Sequence, residues 1–574
     1  MSAPVLALPR VRAIRLPRRG SIFWLAATPV AMLACATLVM WLLAVPGGDD
    51  PAHLYKITLL REGQSIMWDN YWYAGSYGAI TYGIVYYWIA EWVPGPLIVA
   101  AAGGLLPLLF FLYLRDAWGV ASRAAAWSLA GVLVLYLAWG QSPFLLALCL
   151  TMLGLVVLAR GRPALAALPM TVAVFANPLA LVVGGVFLLA DLIAHRASRR
   201  PGALLLLAMV PAIALRVALA AVFAAPSWEL RAPLEAVVLI GFVAVGLVLT
   251  RLTADPTRRP LQWVFVTYAV LFLPVYLLPG MPLGSNVARF YLVFGVSILV
   301  AVGWPSRLPR WLPAILVLLV LGFQLIGPLR LLARMEQLPA TRAEFFAPAL
   351  RVAERLYDPD YRFHVVTPER HWESYFFPAA GFPITRGWYR QADALHNGPL
   401  YDEDLTAGEY RDWLRQMGVN YVFLPHAPLV ANASREAAIV THAPGFSVAY
   451  RDAYWTVYRL DRSEPLVVAL SRRNSADVLA LDHTRIRFAV SSTGVYRVKL
   501  TWSPYWLLAR RPSATSSRGR DGRRDPTWDA GAALPPRGVL RRDAHGFILF
   551  HAPARGMYAL LFDAAAAARA EVLE

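Results

Sequence analysis

Eleven apolar segments recur along this chain, and the short polar stretches between them alternate between arginine-rich and arginine-poor. The segments run at 22–45, 97–114, 122–139, 143–159, 163–177, 179–194, 202–223, 236–250, 261–278, 290–304 and 311–328. A backbone inside hydrocarbon must satisfy its own hydrogen bonds, so runs of this kind fold as helices. With 58% hydrophobic and 16% charged residues, the chain reads as a polytopic membrane protein. The two cysteines, Cys35 and Cys149, sit inside apolar runs, which rules out a disulfide framework or a thiolate metal site. A net charge of +18 would suit nucleic acid, but the arginines lie between apolar segments, where anionic lipid head groups account for them; no nucleic-acid partner is expected. Lys56 and Lys499 are the only lysines, and with the excess of Ala and Leu this composition points to a GC-rich bacterial genome.

Charge also sets the topology. The start, "PRVRAIRLPRRG", is a cytoplasmic arm (1–21), followed by a retained first span. If 78–93 does not cross, the arginine clusters at 115–123, 160–162, 195–200, 251–259 and 306–310 all fall inside. "YGAITYGIVYYWIAEWV" is therefore expected in the membrane interface, and 52–63 and 79–93 as two surface helices. The transmembrane domain is then 22–335 with about eleven helices, its first outer loop is 45–96, and everything beyond about 335 is extracytoplasmic. There the pattern predicts an α/β domain over 340–460, with "RFHVVTP" and "VNYVFLP" as buried strands and "TAGEYRDWLRQMG" as a helix. "FSVAYRDAYWTVYRL" predicts a hairpin, and alternation over 463–574 predicts a β-sandwich interrupted by a loop, "RRPSATSSRGRDGRRDPT".

The most polar stretch of the membrane half lies just after the first span: Asp49, Asp50 and His53 in "DDPAH". Two readings are open. Asp50 caps a helix with Pro51 at its first position and His53 is solvated, or a carboxylate acts as general base, with His53 completing a pair that could hold a divalent cation.

This arrangement, an acidic motif after the first span, an amphipathic helix and an aromatic helix with a "YYW" core, resembles the first outer loop of the GT-C superfamily of integral-membrane glycosyltransferases. The resemblance implies that Asp49 or Asp50 is the catalytic base and that the donor is a polyprenyl-phosphate-linked sugar. Many members have an Asp-Glu pair or Asp-x-Asp where this chain has "DDPAH", so which acid acts, and whether a cation is needed, stay open; no cofactor is otherwise implied. "TRGWYRQADALHNGPLYDEDLT" also resembles bacterial membrane proteins of the YfhO-like and pyruvoyl-tetrahydropterin-synthase-related groups.

Such a transfer needs cationic contacts for the departing phosphate. Arg289, in "GSNVARFYL", and Arg231, in "PSWELRAPLE", are the candidates, Arg289 first because a guanidinium at a span's rim can grip phosphate bidentately; a snorkelling interface arginine is its plain alternative. Trp88, Arg386, Trp388, Arg390 and Asp393, with Tyr389 and Gln391, are candidate sugar or acceptor contacts, or else a packing seam. No Gly-rich phosphate loop, His-Glu-x-x-His or Gly-x-Ser-x-Gly occurs. The sequence thus predicts a membrane glycosyltransferase acting outside the cytoplasmic membrane on a glycan or lipid acceptor of the cell envelope. The alternatives are a non-catalytic scaffold or glycan-binding protein for envelope polymer assembly or export and, last, a transporter, which would place more ionisable residues mid-span.

Overall fold

The computed structural model describes residues 19–42, 47–77, 82–223, 233–278, 284–303, 309, 311–334, 338–511 and 539–565. Arg231, most of the N-terminal arm, the start of the interfacial stretch at 78–81 and the loop from Pro512 lie outside them.

Helix α1 (Arg19–Leu42) leads to two short helices, α2 (Asp50–Arg61) and α3 (Ile84–Trp92). Ten apolar helices follow: α4 (Gly95–Trp118), α5 (Arg123–Tyr136), α6 (Ser142–Ala159), α7 (Pro163–Ala176), α8 (Leu179–Ala194), α9 (Arg199–Val222), α10 (Pro233–Leu252), α11 (Gln262–Leu277), α12 (Arg289–Val302) and α13 (Trp311–Ala333). Seven of them (α4, α6 and α9 to α13) are long and apolar enough to cross a membrane, while α1, α5, α7 and α8 are apolar over 10–17 residues. Burial divides them by role. Helix α9 turns Leu207, Val210, Leu215 and Val217 outward, a surface that only lipid covers without cost, whereas α12 is packed on most sides. Polar groups inside the bundle are paired: Gln324 donates to the Tyr291 carbonyl at 2.8 Å and Ser128 to Ser297 at 3.2 Å. Helices α1 and α4 cross closely because Gly104 has no Cβ, which would stand 2.5 Å from the Val30 Cα. The chain is a multi-pass membrane protein.

The nine residues of α3 rise about 14 Å, half of a hydrocarbon core. It buries Tyr86, Tyr87 and Ala90 and exposes Trp88 and Trp92.

After α13 comes an α/β layer. Helix α14 (Ala343–Leu356) precedes β3 (Arg362–Val365), α15 (Glu373–Ala379), α16 (Arg390–His396), α17 (Ala407–Gln416), β4 (Val419–Pro425), α18 (Ala433–His442), β5 (Phe446–Arg451) and β6 (Trp455–Leu460). Its sheet runs β3-β4-β6-β5, parallel only between β3 and β4. A capping box, Thr406 with Glu409, starts α17, and Gly418 at φ +72° follows its end. Strands β7 (Val467–Ala469), β8 (Ala476–Leu481), β9 (Arg485–Val490), β10 (Gly494–Thr501), β11 (Trp506–Arg511), β12 (Leu540–Arg542), β13 (Phe547–Ala552) and β14 (Gly556–Phe562) form two four-stranded sheets, β12-β13-β10-β7 and β11-β14-β9-β8. They close on a core that includes Phe488, Phe550 and Tyr558.

The loop that follows α1, with its short strands β1 (Trp68–Asp69) and β2 (Ser76–Tyr77), is threaded between these two units. Trp68 stacks on Phe562 at 4.5 Å, Asp69 meets His483 at 2.9 Å, the Tyr71 carbonyl accepts from Ile384 N at 2.9 Å, and the Trp72 indole donates to the Ser374 carbonyl at 2.9 Å. Contacts of this kind require the loop and the C-terminal units to share one face of the membrane.

Candidate functional site

Between the ends of the apolar helices and the C-terminal units lies a cavity of about 1600 Å³. Its membrane-side wall includes Asn177, Leu179, Arg216, Ala220 and Arg289; its outer wall includes residues of 369–371 and 388–392, and Thr501 and Phe547 of the sandwich. Asp49 and Tyr82 of the first outer loop line it as well, whereas Asp50 and His53 do not.

The acidic turn separates the two acids. Asp49 is the N-cap residue of α2, but its carboxylate caps no N–H; its backbone is fixed instead, N donating to the Trp139 carbonyl at 3.2 Å and O accepting from His53 N at 3.3 Å. The carboxylate faces the cavity beside Tyr82, whose hydroxyl favours its ionised form, and lies in the field of Arg289. Although part of its surface is open to the cavity, the protein around it desolvates the charge, and Asp50 adds repulsion. Against Arg289 and Tyr82, these raise the Asp49 carboxyl to about 7.

Asp50 turns back on its own chain. Its Oδ2 accepts from Gly47 N at 2.7 Å, and Oδ1 lies 2.8 Å from where a Cβ on Gly140 would stand. This corrects the capping expectation: Asp50 is the first helical residue, one place later than expected, because its carboxylate closes the Gly47–Gly48 turn against Gly140. Burial pushes it up to about 6.

His53 is not solvated. It is buried among Tyr82, Tyr86 and Tyr87, with Nδ1 3.0 Å from the Tyr87 hydroxyl, and burial lowers it to about 3, so the imidazole is neutral. Among the described residues no group of three or more His, Cys, Asp or Glu side chains is placed to hold a metal.

Arg289, the first residue of α12, is held by Asn286 (Nε to Oδ1, 2.8 Å) and lies over the Phe144 ring at 4.9 Å. These two contacts fix its guanidinium at the cavity wall. Arg231 lies outside the described residues.

The 386–393 segment divides in two. Trp388 and Arg390 line the cavity. Arg386 and Asp393 are buried behind it: Arg386 Nε donates to Asp393 Oδ2 at 3.0 Å and Nη1 to Glu436 Oε1 at 2.9 Å, while Asp393 also accepts from Asn397 and Tyr401. The far oxygen of Glu436 meets His364 at 2.7 Å. This network fixes the base of the loop whose tip faces the cavity. Trp88, on the exposed side of α3, is not among the cavity residues.

The sequence reading missed Tyr82 as a partner of Asp49, together with Asn177, Arg370 and His371. Asn177 is fully buried at the cavity wall, its Oδ1 accepting from Leu179 N at 3.0 Å and its Nδ2 without a partner. Position in an arginine-poor, outward-assigned loop was the one signal available for Asn177, in "FANPLA".

The chain matches no protein-family model and no curated protein. Among solved structures it is similar to an oligosaccharyltransferase, AglB from the archaeon Archaeoglobus fulgidus, in complex with an inhibitory peptide and a dolichol-phosphate. The two share 13% identity at a TM-score of 0.36, over 71% of this chain and 70% of that one.

Proposed function

We propose that the protein is a GT-C-like glycosyltransferase that moves a sugar from a polyprenyl-phosphate donor to a hydroxyl of a cell-envelope glycan or lipid, on the outer side of the cytoplasmic membrane. The observation that carries this reading is the Asp49 carboxylate, uncommitted to its helix, facing Arg289 in a cavity that joins the apolar helices to the outer units. A lipid-linked donor needs such a place, because its tail stays in the bilayer while its sugar meets a water-soluble acceptor.

Ionised Asp49 takes the proton of the acceptor hydroxyl as that oxygen bonds to the anomeric carbon. The bond from that carbon to the phosphate oxygen breaks with its electron pair, and Arg289 stabilises the departing phosphate. A base that titrates near 7 suits the work, since it is substantially ionised at neutral pH yet basic enough to accept a proton. Asp50, committed to Gly47, has a structural role in this reading, and neutral His53 orients the tyrosines around Asp49.

Asp49→Asn keeps the size and removes the proton acceptor, so transfer from a polyprenyl-phosphate sugar in membranes should fall at least about a hundredfold at normal membrane yield. Full activity in Asp49→Asn, alone and combined with Asp50→Asn, would sink the catalytic reading and favour a scaffold. The same reading has eleven crossings with the C-terminal units outside; a reporter fused after Pro339 that is active only in the cytoplasm contradicts it.

A further inference from the structure

One turn of the α/β layer is held against its own backbone preference. Arg370 (φ 84°) and His371 (φ 58°) are consecutive non-glycine residues in the left-handed region, which L side chains rarely adopt. Surrounding bonds impose it: Glu369 N donates to the Pro428 carbonyl at 2.8 Å, His371 N to Pro368 at 3.2 Å, and Ser374 N to His371 at 3.2 Å. The result places both side chains on the cavity.

Arg370 reaches the acidic turn. Its Nη1 lies 3.8 Å from where a Cβ on Gly48 would stand, and its Nε is buried without an acceptor. Behind His371 stands Glu373, 1% exposed, with neither carboxyl oxygen hydrogen-bonded and one of them 3.8 Å from His371 Nδ1. Burial pushes Glu373 up to about 8 and His371 down to about 4, so both are uncharged at neutral pH. At 3.8 Å the two make no hydrogen bond, and the neutral imidazole carries its proton on one of its ring nitrogens. The turn therefore sets a guanidinium and an imidazole side by side on the cavity.

We propose that Arg370 and His371 form an oxyanion-binding site on the cavity wall opposite Arg289 that takes a phosphate or carboxylate group. The anion comes either from the donor, as a phosphate bridging Arg289 and Arg370, or from an acidic acceptor. Other charged groups facing this turn are Glu369, itself paired with Arg334 at 3.5 Å, then Arg386, Arg390 and Asp393, and across the cavity Asp49 and Arg289. Binding alone tests the proposal, independently of any transfer activity.

The experiment is thermal protection of the purified full-length protein by inorganic phosphate, pyrophosphate or galacturonate. Arg370→Asn is the first variant, because Asn tolerates a left-handed backbone, with His371→Gln beside it. Each should raise the half-protecting concentration about tenfold and leave the unliganded midpoint within a few degrees of wild type. Arg370→Lys, which keeps the charge without the fork, should retain part of the affinity and guards against a folding artefact. Loss of pyrophosphate protection in both Arg289→Gln and Arg370→Asn assigns a donor phosphate, and galacturonate protection lost only in Arg370→Asn assigns an acidic acceptor. Ionisation of Glu373 opposes an anion, so protection should weaken above about pH 8, and Glu373→Gln in an Asp49→Asn background should remove that step. Unchanged protection in both Arg370→Asn and His371→Gln, or no protection of the wild type by any of the three anions, overturns the site.

Discussion

Two aspartate–arginine arrangements border the cavity, one buried behind its outer wall and one facing its interior, and they are chemically opposite. Behind the wall, Asp393 is saturated by Arg386, Asn397 and Tyr401; burial alone would raise it, but Arg386 holds it below the usual carboxylate range. At the wall, Asp49 has a tyrosine hydroxyl and a cation at a distance, and burial wins, lifting it to about 7. An acid whose partners are complete has no capacity left for a ligand or a proton. The incomplete one keeps both, and is the place to look for chemistry.

The largest expected effect breaks the saturated side. Arg386→Met leaves Asp393 and Glu436 buried without their cation, and removal of one partner of such a network costs about 3–5 kcal/mol. In the full-length protein the melting transition of the α/β layer, a unit of about 120 residues, should drop by more than about 10 °C. Arg289→Gln should do the reverse, moving the midpoint by only a few degrees while lowering transfer about a hundredfold. If Arg289→Gln instead melts the protein and spares transfer, the two sites have been assigned the wrong way round.

Second comes pH. Because Asp49 works ionised and titrates near 7, the rate should fall about tenfold per pH unit below that value and level off above it. Its effect on stability has the opposite sense, since a raised carboxyl favours the folded state fully below its ordinary 3.8 and loses that contribution as pH climbs to about 7. A rate profile flat from pH 5 to 8 removes Asp49 as the base.

How much of this was legible depends on range in the chain. The apolar helices were readable because hydrocarbon imposes its demand on each segment separately, and α17 because Thr406, Glu409 and Gly418 punctuate it locally. Asp49 was readable as a candidate from its place after the first span. Its difference from Asp50 was not, since that depends on Gly140, Trp139 and Arg289, brought in by later helices. For the same reason "RGWYRQAD" could be singled out as a group while its division could not: Arg386 finds Glu436 fifty residues downstream. Nothing in "PERHWES" announces a left-handed Arg370 and His371, because the bonds that impose it come from Pro428 and the layer around it.

A smaller effect tests Asp50. Asp50→Ala removes the acceptor for Gly47 N and should cost about 1 kcal/mol, seen as a midpoint lowered by about 1 °C in a chain of this length, with transfer at pH 8 within about threefold of wild type. A hundredfold loss in this variant at full stability would move the catalytic role from Asp49 to its neighbour.

The smallest effect is the most discriminating for the incomplete pair. Tyr82 is raised by burial well above the usual tyrosine range, so it stays protonated, and its hydroxyl beside Asp49 lowers that carboxyl against the burial that raises it. Tyr82→Phe removes the donor and keeps the ring stacked on His53 at 6.0 Å. The Asp49 titration should therefore move upward by about half a unit, worth about 0.7 kcal/mol. Transfer should drop about threefold at pH 6 and be unchanged at pH 9, where Asp49 is ionised in both proteins. A uniform loss across the range would mean that Tyr82 touches the substrate, and a downward shift would mean that the hydroxyl opposes the ionised acid.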